Sequence, residues 1–435
     1  MFLLTSDIRP IRITPDFVSS AAGSCLIECG GTRVICTASV SESVPPFLLG
    51  KGRGWVTAEY AMLPASTGSR KSRDGIKKDG RGVEIQRIIG RALRQAVDMT
   101  LLGERTITLD CDVLEADGGT RTASITGAFV ALVCAINNLI QKGVMTTNPI
   151  VHQIAAISVG IVNDEPCLDL CYKQDSNAQA DMNLVMNEDS AFIEIQGTGE
   201  KRPYTKSELA ELLTLGAMGI NKLQFAQRKA LSGRGANLLP KPRIVIASAN
   251  RHKVHELSKI LSDQYKFLSL NDVDFTDEID ENGSTFSENA IIKAETVMKF
   301  TGLPVISDDS GLEVEALGGE PGILSARYAL EHGNDEANNT LLLKKMNGID
   351  NRNCRFVCSI ALAIPGEKTV TVEGYCNGKL LSERVGLNGF GYDPLFQIAD
   401  GRSLSELSED EKNSISHRGN AVQLIQPILD DIFLA

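Results

Sequence analysis

Between Ser232 and Pro242 the chain runs through small residues and two prolines that break a helical pattern just before a fresh apolar strand. That seam constrains the fold more than any other feature of the 435 residues. At roughly 100–200 residues per domain, each side is long enough to bury its own core. We expect two domains, residues 1–236 and 243–435, with a linker at 237–242.

Both sides mix strands and helices, and no internal repeat relates them. Upstream, Cys25–Cys29 and Thr32–Cys36 flank Gly30-Gly31 as a hairpin. Ile85, Ile88, Ile89, Ala92, Leu93 and Ala96 then recur at helical spacing, leaving Arg87, Arg91 and Arg94 on the opposite face. The alternating run Thr106–Val113 reads as a strand, broken at Gly118-Gly119 before a second helical period from Ile125 to Ile136. Further strands are expected at Ala155–Val162, Asp181–Met186 and Phe192–Gln196, and Thr205-x-x-Glu208 caps a helix. Downstream, Ile244–Ala247 reads as a buried strand leading through Ser248–Lys253 into a helix. A second helix follows from Phe286, a short strand at Pro304-Val305-Ile306, and a hairpin from Phe356–Ile364 and Val370–Tyr375.

The net charge of -11 excludes a nonspecific nucleic-acid coat, since a polyanion is repelled by the chain as a whole. An RNA contact needs a local basic patch. The segment with Lys51, Arg53, Arg70, Lys71, Arg73, Lys77, Lys78, Arg81, Arg87, Arg91 and Arg94 supplies one. The 10 cysteines sit in apolar runs without a Cys-x-x-Cys pair, so they read as reduced, buried hydrophobes. His252-x-x-His255 has no Cys or His nearby and reads as a solvated helix face. The stretch Met1–Asp7 is too short and too early in acid for a secretory signal, and no apolar run approaches membrane-spanning length; we expect cytoplasmic residence and no membrane partner.

Two sets of residues carry phosphate chemistry. Gly118-Gly119-Thr120-Arg121 joins a strand to a helix, where outward amides and the helix dipole favour an anion, glycine allows close approach and Arg121 offers a planar fork. A structural glycine turn is the alternative. Asp169, Asp175 and Asp181 could gather one hard cation, magnesium or manganese. In the second half, Ser307-Asp308-Asp309-Ser310-Gly311 follows a strand so that one acid, expected to be Asp309, faces a ligand, with Glu281 and Glu288 as further oxygen donors. Ser248, Asn250 and Lys253, with Lys412, His417 and Arg418, could hold a triphosphate without any Walker-type loop. Phe390 and Tyr392 in Gly389–Pro394 could stack on a base.

From about Arg9 to the linker the chain closely resembles ribonuclease PH, through Gly54–Tyr60, Leu109–Leu114, Asp117–Ser124 and Asp181-Met182-Asn183. The resemblance implies a ribosomal protein S5 domain 2-like fold of mixed sheets with helices. It further implies a phosphate-dependent exoribonuclease that trims 3′ ends of transfer RNA precursors and other structured RNAs, releasing nucleoside diphosphates. Inorganic phosphate, the co-substrate, would be held by Arg81, in Asp79-Gly80-Arg81, and by Gly119, Thr120 and Arg121, and the metal by Asp175 and Asp181. Family members assemble as hexameric rings. Two departures stand out: no Arg-x-Asp-Gly-Arg element precedes Arg9-Pro10, and Ala65 stands where an arginine is common.

From about Arg243 to Ile428 the chain resembles the inosine/xanthosine triphosphate pyrophosphatases, through Ser248-Ala249-Asn250-x-x-Lys253, Thr285–Ala290, Asp308–Leu312, Phe390–Pro394 and Ser416-His417-Arg418. The resemblance implies a mixed α/β sheet, dimer contacts through this domain and magnesium-dependent hydrolysis of ITP, dITP or XTP to monophosphate and pyrophosphate. Asp309 would activate water or bind magnesium with Glu281; Ser248, Ala249, Asn250, Arg251, His252, Lys253, Ser310, Phe390, Gly391, Tyr392, Asp393, Lys412, His417 and Arg418 would hold the nucleotide. The expectation is thus a bifunctional enzyme of α/β and α+β domains. Two rivals are a noncatalytic RNA-binding ring carrying the pyrophosphatase, and a first site that uses water as a hydrolytic nuclease.

Overall fold

The computed structural model describes residues 7–72, 80–329 and 334–434. Two compact units divide it, Met1–Pro240 with Ile432–Ala435, and Lys241–Asp431.

The first unit opens with β1 (Ile11–Pro15), β2 (Gly23–Cys29), β3 (Thr32–Ser41), β4 (Trp55–Met62) and β5 (Thr106–Glu115), ordered β1-β2-β3-β5-β4. All neighbours are antiparallel except β4, which joins β5 in parallel. Alternation in β5 buries Ile107, Leu109, Cys111 and Val113 completely or nearly so. Helices α1 (Gly80–Gln95), α2 (Met99–Leu102) and α3 (Thr120–Gln141) follow. An antiparallel sheet of β6 (Ala155–Val162), β7 (Glu165–Leu168), β8 (Ala180–Met186) and β9 (Phe192–Thr198) takes the order β7-β6-β8-β9, with α4 (Tyr172–Asp175) and α5 (Lys206–Ala230) beside it. Thr205 and Glu208 form the expected capping box.

Helix α3 packs against β2 and β3 on one side and β6 on the other. That position explains its composition and corrects one expectation. Thr120–Gln141 is long and apolar enough to cross a membrane, yet 83% of its most apolar window is buried inside the unit. A helix sandwiched between sheets is apolar all round because it has no solvent face.

The second unit is one six-stranded mixed sheet ordered β11-β10-β12-β13-β14-β15, built from β10 (Arg243–Ile246), β11 (Lys266–Leu268), β12 (Val305–Val314), β13 (Asn353–Ala363), β14 (Val370–Leu380) and β15 (Phe396–Gln397). Its helices are α6 (Arg251–Ile260), α7 (Phe286–Thr301), α8 (Asp335–Lys345), α9 (Glu409–Ile415) and α10 (His417–Phe433). The short strand expected at Pro304–Ile306 instead runs ten residues, through Ser307–Gly311, paired along its length with β13. Polar residues persist in this strand because each face offers them partners.

Candidate active sites

The first site forms where β5 turns into α3. Gly118 and Gly119 adopt φ of 79° and 64°. A Cβ on Gly118 would lie 2.5 Å from the Leu170 carbonyl oxygen and 2.7 Å from the Tyr172 nitrogen, so only glycine admits the segment leading to Asp175. Gly119 caps α3 without any side-chain cap, leaving the first-turn amides and the positive end of the helix dipole for an anion. Tyr60 Oη donates to Thr120 Oγ1 at 2.9 Å, and Arg121 Nη1 to Gln196 Oε1 at 3.0 Å. Burial raises the Tyr60 phenol, opposed by the charges of Arg81 and Arg121, so both guanidinium groups belong to this neighbourhood.

Asp181 on β8 has its carboxyl raised by burial and by the neighbouring charges of Asp175 and Glu200, while Arg121 opposes the rise. The structure thus gathers Asp175 and Asp181 beside the Thr120-Arg121 turn. Asp169 does not join them. It is buried, and both its oxygens take hydrogen bonds from Arg9, 2.7–3.0 Å long. Asp169 is therefore removed from the expected three-aspartate cation set, which leaves Asp175 and Asp181 as its candidates. Among the described residues no three His, Cys, Asp or Glu side chains converge on a metal position. Two neighbouring carboxylates, one of them held up mainly by burial and next by the charge of the other, nevertheless fit a divalent ion.

The basic face is partly spent on the fold. Arg91 pairs with Glu194 at 2.8 Å, and Arg94 lies 4.4 Å over the Trp55 ring and donates to the Val56 carbonyl, so Arg94 does not share the solvent face expected of it. Arg87, Arg53, Arg70 and Lys51 are exposed. Arg73, Lys77, Lys78 and Asp79 lie outside the described residues.

In the second site, alternation along β12 sends neighbouring acids to opposite faces. On one face Asp309 Oδ2 accepts from Asn289 Nδ2 at 3.2 Å, and its Oδ1 lies 3.3 Å from Lys293 Nζ, both partners on α7. Lys293 also reaches Glu281 Oε2 at 3.1 Å, so its ammonium stands between the two carboxylates expected to hold metal. Burial pushes Asp309 up, opposed by Lys293 and Lys253. Glu288 turns away to bond Ser284.

On the other face the fully buried Asp308 meets Arg418 at 3.0 Å and Lys253 at 3.2 Å. Burial alone would raise its carboxyl, but these cations hold it well below the ordinary range. Arg418 and Lys412 are both clamped by Glu256 on α6, and Lys412 also by Asp393 at 2.7 Å. The cations expected to neutralise a triphosphate are thus already in ion pairs. Glu256 was not foreseen, since only its place one helical turn after Lys253 hinted at it.

Phe390 stacks on His252 at 5.4 Å and lies 4.7 Å from Lys412 Nζ, forming an aromatic wall. The left-handed Gly389 lets the turn close on Asp393, whose carboxylate accepts from Phe390 N at 3.0 Å. Tyr392 is buried rather than presented to a base, and donates to the Ser325 carbonyl. His417 is buried against Phe356 with no hydrogen bond to Nδ1, and its pKa is pushed far down by burial and by Arg418 and Lys412. Asn250 caps α6 and Ser248 accepts from Asn250 N, while Ala249 and Arg251 are exposed; Ser310 and Gly391 bond Arg418 and Asp335.

Two units, each with a phosphate-suited site on its own mixed α/β framework, define a two-domain protein of nucleotide chemistry. Residues 7–136 match the first domain of the 3′ exoribonuclease family and 152–219 its second; residues 244–428 match the Ham1 family. Ribonuclease PH of Neisseria meningitidis serogroup C is 57% identical over 227 residues, covering 52% of this chain and 94% of that protein. The Staphylococcus aureus Ham1 protein structure is 43% identical, with a TM-score of 0.41, covering 43% of this chain and 98% of its own. A nucleoside-triphosphatase / dITP/XTP pyrophosphatase from Mycobacterium abscessus is also 43% identical, with a TM-score of 0.38, covering 42% and 99%. The chain belongs to the ribonuclease PH family in its N-terminal half and to the Ham1 family in its C-terminal half.

Proposed function

We propose that the chain is a bifunctional enzyme: a phosphate-dependent 3′-to-5′ exoribonuclease that trims transfer RNA precursors, and a nucleoside triphosphate pyrophosphatase that converts ITP, dITP and XTP to monophosphate and pyrophosphate. Family membership supports both chemistries, and the arrangement of each site supports its assignment.

In the first unit, Arg81, Arg121, the Thr120 hydroxyl and the amide end of α3 from Gly119 bind inorganic phosphate and orient one oxygen toward the last 3′ linkage. That oxygen forms a bond to phosphorus, the bond to the penultimate 3′ oxygen breaks, and a nucleoside diphosphate leaves. Arg121 stabilises charge on the equatorial oxygens. Asp175 and Asp181 would hold magnesium or manganese, which when bound offsets charge on the phosphodiester. One observation supports this assignment: Arg121, beside Thr120 at the start of α3, lies close enough to Asp181 for its charge to oppose the rise of that carboxyl, which favours an anion position next to a cation position.

In the second unit, the raised carboxyl of Asp309 makes it a better proton acceptor than an ordinary aspartate, and Asn289 and Lys293 fix its orientation. It takes a proton from water attacking the α-phosphorus, and pyrophosphate leaves. Glu281 and Asp309 would hold magnesium through oxygens that Lys293 leaves, and bound magnesium would offset phosphate charge. Lys253, Lys412 and Arg418 would supply positive charge for the phosphates, and Phe390 with His252, beside Lys412, an aromatic surface for the base. The reading includes a homo-oligomer, a ring through the first unit with dimer contacts through the second, acting in the cytoplasm where both substrates occur.

Product analysis tests the proposal. A 3′-tailed transfer RNA with labelled phosphate is expected to yield labelled nucleoside diphosphates; nucleoside monophosphates would mean that water attacks instead. Ring assembly is checked by light scattering of the full chain.

A further inference from the structure

Two of the segments that build the first site lie far apart in sequence: the Asp117–Arg121 turn with its phosphate candidates, and the Asp169–Asp175 segment ending in a carboxylate. We propose that Arg9 is a positioning residue that fastens these two segments in register, and so sets the affinity of the first unit for phosphate. The inference rests on the phosphorolytic reading above.

Arg9 enters from the chain before β1 and is buried, 7% exposed. Its backbone N–H and Nε donate to Asp169 Oδ2 at 2.9 and 3.0 Å, and Nη2 to Asp169 Oδ1 at 2.7 Å. The remaining arm, Nη1, crosses to the Asp117 carbonyl at 2.6 Å. One guanidinium therefore bonds both segments. Its Nη2 also lies 3.2 Å from the place a Cβ on Gly119 would occupy, so Arg9 backs the glycine that opens α3.

The surrounding bonds have the same direction. Tyr172 N, at the start of α4, donates to Asp117 Oδ1 at 3.2 Å. Thr32 Oγ1 donates to the Gly118 carbonyl at 2.6 Å and accepts from Asp117 N at 2.8 Å. Asp169 holds a left-handed φ of 54°, a conformation costly for a non-glycine residue that its bonds to Arg9 help to fix. Asp175 itself is exposed on a helix of four residues, so its position depends on how that turn is anchored. A shift of about 1 Å in such a constellation can cost on the order of a hundredfold in rate.

A buried ion pair could serve stability alone, so the test separates the two roles. Arg9→Lys keeps the charge but loses the fork that spans two acceptors. Asp169→Asn is the second variant, in case Arg9→Lys does not fold. Inorganic phosphate is titrated calorimetrically into each full-length protein well below its unfolding temperature. We expect phosphate affinity to fall about tenfold or more in both variants, KM for phosphate to rise in step, KM for RNA to stay within about twofold, and ITP hydrolysis to be unchanged. The double variant should be little worse than either single, because both break one unit. Lower unfolding temperatures with wild-type phosphate affinity in the folded protein would overturn the inference. Wild-type protein that binds phosphate without releasing nucleoside diphosphates would overturn the phosphorolytic reading alone, leaving the affinity comparison to decide the role of Arg9.

Discussion

Arg121 and Arg418 are both proposed to serve phosphate chemistry, but they are held in opposite ways. Arg121 is half-buried at a helix start and donates to a neutral amide, Gln196. Arg418 is fully buried and ion-paired with Asp308 and Glu256. In the first unit the fold is completed by apolar layers around α3, and the anion site is added at its tip. In the second unit the site's charges are part of the interior. A cation removed from the first site should therefore cost function, whereas one removed from the second should cost the fold as well.

The largest effect expected is for Arg418→Met. It leaves Asp308 and Glu256 buried without their main partner, which typically costs about 3–5 kcal/mol. Calorimetry should show the second unit unfolding much earlier while RNA trimming persists. An unchanged thermogram would break the contrast at its strong end. Next, Arg121→Ala should lower phosphate-dependent trimming by roughly a hundredfold, with stability within about 0.5 kcal/mol of the parent. Activity and stability lost together would erase the distinction from the other side.

A smaller effect follows from His417. Its neutral form is stabilised by burial and by the facing charges of Arg418, Lys412 and Lys253, against the opposing pull of Asp308. Because its folded pKa lies below the ordinary value near 6.5, the unfolded chain binds the extra proton first. Its contribution is complete above about pH 6.5 and declines as pH falls, by at most about 1.4 kcal/mol per pH unit. Unfolding of the second unit followed from pH 7.5 to 5 should show this slope, and His417→Gln should flatten it. The smallest effect is expected at Arg91, which is exposed and pairs with the largely covered Glu194. Arg91→Ala should change stability by less than about 1 kcal/mol and weaken RNA binding with a shallower salt dependence. A steep stability loss would mean that this face belongs to the fold rather than to RNA.

Local chemistry was legible in the sequence. The Gly30-Gly31 hairpin, the Gly118-Gly119 break before α3 and the Thr205–Glu208 capping box all depend on neighbours a few residues apart. Long-range pairing was not. Asp169 looked like a cation ligand because its spacing matched Asp175 and Asp181; its true partner, Arg9, lies 160 residues away. The Ser307–Gly311 stretch was expected to follow a short strand with one acid facing a ligand, yet it continues that strand, and its acids find cations on both faces: Lys293 from α7, and Lys253 and Arg418 from α6 and α10. Lys412 and Arg418 could be picked out as phosphate binders, but nothing in their neighbourhood of sequence announced that Glu256, more than 150 residues earlier, restrains both.

The central claim is that one chain holds two independent sites, and paired single variants with both assays test it most directly. Asp181→Ala should abolish release of nucleoside diphosphates from a 3′-tailed transfer RNA and spare ITP hydrolysis. Asp309→Ala should do the reverse. Loss of both activities in either variant, with both proteins folded, would contradict the account.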